Sequence, residues 1–518
     1  MIHPYAHYPA RAARRWPERV ALIDGPRRRT YRELDGRATQ LARSFVGLGL
    51  KPGERVAVVQ ENRIEYVETA IAVARAGGVL VPLLGALTEG EHAFMVGDAE
   101  ARFTVALGSE TVARARAAAG GAEVLALANA EGVTNLAALA DAETLDRFSV
   151  DGAASSLAQI LYTSGTTGHP KGVTHSYASV SAAMGAWASA FRIEPEDRLL
   201  GQLALSHFGG RAMDTCWVAG ATLVILPGPD PKAMLGAIAE HRISMLLVIP
   251  TLLRMLLDHP AAARADLSSL RTVLYAAAPA APSLVRRSLE RLGPVLHTGF
   301  GQTEAYGLNT FMGPEEHVHA LESGGERLTS VGRECTAFAQ VRIRKEDGAE
   351  LPPGEVGEIC VCAPWTTPGF WKRPELDRAR LREGWLHTGD LGRMDEEGYV
   401  YLADRKEDKI ISGGFNVYPA EVEGALAEHP AVAECAVFAI PDPKWGEAVR
   451  AAVSLRADVT ATPEELIAFC KQRLAHFKVP KAIDLLDELP KTAVGKILRR
   501  ALREPHWKGR ERDVHGAE

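Results

Sequence analysis

Cysteine is scarce in this chain: six residues in 518 (Cys216, Cys335, Cys360, Cys362, Cys435 and Cys470), with no framework spacing. Cys360 and Cys362 alternate within an apparent strand rather than closing a metal turn, so neither a disulfide scaffold nor a cysteine metal cluster is expected, and a reducing cytoplasm fits. Long apolar runs are missing too. The most apolar stretch, 245–257, is short and holds Pro250 and Arg254, and residues 1–20 carry arginines without an apolar core, so neither a membrane span nor a signal peptide is expected. A cationic excess is also absent. The formal charge of -6 and pI near 6.3 argue against a nucleic-acid scaffold, so an anionic ligand must be met by local groups. No internal repeat or low-complexity tract is visible.

What is present is an ordinary globular composition, 47% hydrophobic and 24% charged, long enough for two or more cores. Leu34, Ala38, Leu41, Ala42 and Phe45 recur at helical spacing after Tyr31, and Gly47 and Gly49 end that helix. A buried strand at 56–59, a helix to Ala76 that Asn62 is placed to cap, and a strand at 79–81 make a βαβ unit. Gly47-Leu48-Gly49 with Gly53 precedes its strand, the wrong order for a dinucleotide fingerprint. Residues 112–140 are alanine-rich and read as surface helix and strand. A helix over 179–191 and strands near 199–203, 221–225, 245–249, 272–275 and 295–297 continue the alternation. The expected class is α/β, a large body of mostly parallel sheets.

One stretch stands out. Leu161-Tyr162-Thr163-Ser164-Gly165-Thr166-Thr167-Gly168-His169-Pro170-Lys171-Gly172 packs three glycines, four aliphatic hydroxyls and a lysine directly after an apparent buried strand. Glycines let backbone N–H groups approach anionic oxygens, hydroxyls add donors and lysine adds charge, which suits a polyphosphate. It is not a P-loop, since Pro170 precedes Lys171 and Gly172 follows it. The plainer reading is a surface loop rich in glycine and threonine.

From about Ala337 the pattern changes to period-two alternation at 338–343 and 357–362, split by Asp347-Gly348 and Pro352-Pro353-Gly354: antiparallel strands forming a small distorted barrel or a ribbon. The charge run 404–409 then precedes an α+β pattern, with a helix over 419–428, strands over 435–440 and 450–455, and a helix over 463–476. The expected organisation is a large N-terminal domain over 1–404, a hinge over 405–408 and a small mobile C-terminal domain over 409–518.

With these residues in view, the chain resembles the adenylate-forming superfamily from end to end. Six motifs carry the resemblance, in family order: Tyr162 to Gly172, Phe300-Gly301-Gln302-Thr303-Glu304, Gly384-Trp385-Leu386-His387-Thr388-Gly389-Asp390, Asp404-Arg405-Lys406-Glu407-Asp408, Ser412-Gly413-Gly414-Phe415-Asn416-Val417-Tyr418-Pro419, and Pro490-Lys491-Thr492-Ala493-Val494-Gly495-Lys496. The resemblance implies an acid–CoA ligase that uses ATP, Mg²⁺ and coenzyme A in two steps. An adenylating enzyme that passes its acid, even an unusual oxyacid, to an amine or a carrier-protein thiol is the alternative. The resemblance also admits a homodimer, in the cytoplasm, with the small-molecule acid and CoA as partners and no nucleic acid.

The implied roles follow residue by residue. Thr163, Ser164, Gly165, Thr166, Thr167, Gly168 and Lys171 would clasp the outgoing pyrophosphate, Thr303 the α-phosphate, and Glu304 the metal. Asp390 would bind the ribose hydroxyls beside Arg405. The ring of Phe300, with Gly301 and the Ala277–Ala278 edge, would hold adenine, although the family more often has glycine where Ala277 stands. Lys496 would bridge the acid and the α-phosphate. His207 would gate the path between acid and thiol, with Glu407 the hinge and Gly413 and Gly414 shaping the thiol tunnel. Phe208, Gly209, Arg211, Thr298 and Gly299 would line the acid pocket. Arg211, costly in an apolar pocket, points to a small, aromatic or polar acid unless it pairs with Asp214. Alone, Glu304 reads as a solvated acid, His207 as a core histidine and Lys496 as one lysine of a basic segment. A nucleotide-binding sensor is the non-enzyme alternative, against which Thr303, Glu304 and Lys496 speak together.

Overall fold

The structure, a computed structural model, describes residues 4–146, 148–150, 152–163, 170–278, 280–405, 408–412, 415–457, 459–492 and 496–507. Strand alternation sorts its large body into layers. Leu199, Leu223, Leu247 and Leu274 face one core, while Leu200, Val224, Leu246 and Val273, one residue on or back, face another. A sheet buried on both faces needs apolar residues at every position, which is why these strands read as unbroken runs. In order across that sheet lie Leu296–His297, Thr272–Tyr275, Met245–Val248, Arg198–Gly201, Thr222–Ile225, Val20–Asp24 and Arg27–Thr30. Only the last is antiparallel to its neighbour.

A second sheet of eight strands follows the same logic, with Val56, Val58 and Phe103 toward the shared core and Ala57, Val59 and Ile160 away from it. Helices Tyr31–Gly47, Ile64–Arg75, Tyr177–Ala190 and Phe208–Ala219 fill the layer between the sheets. Thr30 begins the first of them with a reciprocal capping box to Glu33, an arrangement that stabilises a helix start by about 1 kcal/mol. Across this layer Trp217 meets Tyr31 edge-on at 6.2 Å, and the Tyr31 hydroxyl donates to the Cys216 carbonyl at 3.0 Å.

Three expectations change in the large lobe. Asn62 caps no helix: Arg63 occupies that position, and the Asn62 amide instead donates to the carbonyls of Leu203 and Leu226 and accepts from Leu205 N, tying strand ends together. Residues 112–140 are not merely surface. They add Glu123–Ala126 and Thr134–Asn135 to the edge of the eight-stranded sheet and bury Leu125, Leu136 and Ala140. The antiparallel strands Gln340–Arg344, Gly357–Cys362, Leu381–Arg382, Trp385–Met394 and Val400–Arg405 form an open five-stranded sheet among the described residues, where a barrel or a ribbon was expected.

Beyond Arg405 the chain enters a small lobe with a separate core around Val422, Val437, Val449 and Leu466. Its sheet runs Phe415–Val417, Ile410–Ser412, Gly446–Leu455 and Val432–Asp442, with Ala482–Leu485 parallel beside Gly446–Leu455. The helix expected to reach His476 ends at Lys471. No described helix is long and apolar enough to cross a membrane.

Candidate active site

The strands on either side of the hydroxyl-rich stretch pair with each other. Leu157–Thr163 pairs antiparallel with Lys171–Ser176, which sets Thr163 opposite Lys171 and distinguishes the loop from a strand-to-helix phosphate loop. Ser164, Gly165, Thr166, Thr167 and Gly168 lie outside the described residues, as do Glu407, Gly413 and Gly414. At the base of the hairpin the Thr163 hydroxyl is buried with no hydrogen-bond partner among the described residues, an unmet donor of the kind a bound oxyanion satisfies. Gly172 is required here, since a Cβ would sit 2.7 Å from Ile160 Cγ2.

The same strand reaches the second motif. His175 Nε2 lies 2.7 Å from the Thr303 carbonyl, and the ring meets Tyr306 edge-on at 4.7 Å. Burial, and then the Arg211 cation, push its pKa down to about 3, so the neutral ring donates from Nε2. Thr303 and Glu304 occupy a 3₁₀ turn, Thr303–Ala305, with the Glu304 carboxylate buried and its carbonyl accepting from Thr367 N at 2.7 Å.

A cavity of about 1080 Å³ runs between the lobes. On its wall, Gly299, Gly301 and Thr303 of the large lobe face Thr492 and Lys496 of the small one, with His207, Arg211 and Ala277 further along. The Lys496 side chain is open to this cleft yet walled in by it. That enclosure and the nearby Arg405 guanidinium lower its pKa, while Asp390 and Glu304 pull the other way. Charged residues of three motifs far apart in sequence therefore act on the charge of one ammonium group.

Strand alternation decides which neighbours take part. Gly299 and Gly301 face the cavity, whereas the Phe300 ring turns away into the core of the antiparallel sheet with Val341, Ile359 and Val400. The ring expected to hold adenine is therefore not on the cavity wall. Thr298 turns away likewise, its hydroxyl donating to the Tyr275 carbonyl at 2.9 Å. Gly209 packs on main chain, where a Cβ would lie 2.6 Å from the Leu203 carbonyl oxygen, and Ala278 is not on the cavity wall. Ala277 is on it, at φ +71°, the left-handed region that glycine enters at least cost, which accounts for the glycine expected there.

Asp390 is held from several sides. Its carboxylate accepts from Gln302 Nε2 and lies 3.6 Å from Arg405 Nε, and burial raises its pKa against the pull of Arg405. Arg380 donates to the carbonyls of His387 and Thr388, and Glu358 Oε1 accepts from Gly389 N at 2.9 Å, which fixes the bend before Asp390.

The acid side of the cavity is built on Phe208–Ala219. Arg211 lies with its guanidinium carbon 4.2 Å from the Tyr306 ring centroid, and it donates to the His207 carbonyl and to Gln159 Oε1, each at 3.3 Å. Asp214 accepts the Tyr306 hydroxyl at 3.0 Å, so the tyrosine stands between the arginine and the carboxylate considered as its partner. Burial, with Arg211 and Lys496 as neighbouring cations, pushes His207 down to about 4. Phe208 lines the cavity beside it. Sequence reasoning missed His175, Tyr306, Gln159 and Arg380, and also Asp24, Arg27, Arg63 and Arg114 at the far end of the cavity. These residues come from separate elements and share no contiguous motif.

Residues 9–371 match the family model of the AMP-binding enzymes, and residues 421–496 match that of the AMP-binding enzyme C-terminal domain. The chain is 35% identical to a feruloyl-CoA synthase of Amycolatopsis sp over 96% of its own length and 98% of the relative's. It is 34% identical to the medium/long-chain-fatty-acid–CoA ligase FadD8 of Mycobacterium tuberculosis, over 97% and 90%. Among solved structures it is similar to the amide bond synthetase McbA from Marinactinospora thermotolerans, with a TM-score of 0.89, 33% identity and coverage of 97% and 99%. The chain belongs to the AMP-binding enzyme family, the adenylate-forming group whose motifs it carries from end to end.

Proposed function

We propose that this chain is an AMP-forming acid–CoA ligase that activates a small-molecule acid with ATP and transfers it to coenzyme A. The observation that carries the reading is Lys496, brought from the small lobe into a cavity whose other wall holds Thr303, with Asp390 and Glu304 close enough to act on its charge. The chemistry demands such a cation. A carboxylate oxygen must attack the α-phosphorus of ATP while the bond to pyrophosphate breaks, and two unit charges 4 Å apart repel by about 4 kcal/mol at an effective dielectric of 20. Lys496 offsets that repulsion between the two anions.

The remaining residues fit their implied parts. No cluster of three or more His, Cys, Asp or Glu side chains suited to a metal occurs among the described residues, and one buried carboxylate, Glu304, suits Mg²⁺ held largely by phosphate oxygens and water. When bound, the metal neutralises phosphate charge as pyrophosphate departs. Thr163 and Lys171 flank the pyrophosphate end, and Asp390 accepts from the ribose hydroxyls. In the second step the CoA sulfur attacks the acyl carbon, the bond to AMP breaks and the thiol proton goes to solvent. The family resemblance implies a turn of the small lobe between the two steps, and neutral His207 gates the thiol path. Arg211, pinned on Tyr306 with N–H groups to spare, favours a short, aromatic or polar acid over a long unbranched chain. Six free cysteines suit a reducing cytoplasm.

The similarity to an amide bond synthetase keeps a second acceptor in view. Acid-dependent pyrophosphate release across a panel of acids, with and without CoA, tests both readings. Thioester product that requires CoA supports the ligase. Product that forms only with an amine supports the other.

A further inference from the structure

An arginine outside every motif touches the small lobe. Arg254 sits on the helix Pro250–Asp258, whose Thr251, Leu252 and Met255 line the cavity. Its guanidinium donates to the main-chain carbonyl of Ala433, at the head of the small-lobe strand Val432–Asp442. The next residue, Glu434, pairs with Lys491 at 2.9 Å. Lys491 opens the turn that carries Lys496: it bridges to Ile497, Thr492 N donates to the Lys496 carbonyl at 2.7 Å, and Lys496 N donates to the Thr492 hydroxyl at 3.2 Å. Two consecutive residues of one strand thus join the cavity wall on one side to the lysine turn on the other.

We propose that Arg254 is a positioning residue for acyl-adenylate formation: its hydrogen bond to Ala433 holds the small lobe in the orientation that delivers Lys496 to the cavity. The proposal rests on the two-step ligase reading above. A donor that reaches Ala433 in only one lobe orientation stabilises that orientation relative to all others, so its loss lowers the population competent for the first step without touching the reacting groups. Arginine suits the role, because its charge is permanent and its five donors tolerate small shifts of the acceptor.

The test compares Arg254→Ala, Arg254→Lys and Glu434→Ala in the full chain. Single-turnover pyrophosphate release is measured with saturating ATP and acid, and thioester formation separately from preformed acyl-adenylate and CoA. Arg254→Ala is expected to slow the first step about tenfold, the worth of a charge-assisted hydrogen bond, and to leave the second unchanged or faster. Arg254→Lys restores most of the loss, and Glu434→Ala, which loosens the same strand's hold on the lysine turn, slows the first step alone. An unchanged first step in Arg254→Ala, equal slowing of both steps, or no rescue by lysine overturns the proposal. If the wild type releases no pyrophosphate with any acid, the ligase reading falls, and this proposal falls with it.

Discussion

His175 donates from Nε2 to the Thr303 carbonyl across 2.7 Å, and this bond ties the strand leaving the hydroxyl-rich loop to the turn that bears Thr303 and Glu304. The two parts of the site proposed to bind phosphate are therefore joined through one imidazole kept neutral by burial.

Its protonation gives a pH prediction. His175 and His207 have folded pKa values near 3 and 4, against 6.5 for the free side chain, so the unfolded chain takes up protons first as pH falls. The stability these neutral rings contribute is complete above pH 6.5 and is lost progressively as pH falls, toward pH 4 for His207 and pH 3 for His175. His175→Gln keeps an N–H for Thr303 but cannot titrate, so its melting temperature should fall less than that of the wild type between pH 6.5 and 5. Identical slopes would remove His175 from the account.

Phe300 separates a core ring from an adenine contact. Buried among Val341, Ile359 and Val400, it should lose about 1 kcal/mol of stability on Phe300→Leu, as shape changes in packed cores do. The KM for ATP should stay within about twofold, since no binding contact worth even half a kcal/mol is lost. A raised KM with an unchanged melting temperature would place the ring on the nucleotide instead.

Arg211 predicts specificity. Removing a guanidinium from the cavity wall lowers the cost of burying an alkyl chain there and removes donors that a polar acid uses. Arg211→Met should lower kcat/KM for the preferred polar or aromatic acid by about tenfold and raise it for a medium-chain fatty acid. If palmitate is already the best substrate of the wild type, the substrate reading fails.

How much of this was legible beforehand depended on whether a feature lay within one short stretch. Thr303-Glu304, Asp390 and Lys496 each sit in a motif whose neighbours narrow its meaning, so they could be named before any contact was known. Phe300 sits in such a motif too, yet which way its ring points depends on strand phase, and Gly299 and Gly301 took the cavity side. Asn62 had a local reading as a helix cap. Tertiary acceptors at Leu203 and Leu226 outcompeted it. Tyr306, Arg63 and Arg114 were invisible for a different reason: a lone tyrosine or arginine has an adequate surface explanation until other elements are folded against it.

The most direct test is Lys496→Ala, assayed in the two half-reactions separately. Loss of a cation aimed at the developing charge should slow acid-dependent pyrophosphate release by about 10²–10³-fold, while thioester formation from preformed acyl-adenylate keeps most of its rate. Equal loss in both half-reactions, or pyrophosphate release at the wild-type rate, would contradict the role given to Lys496 and with it the two-lobed mechanism.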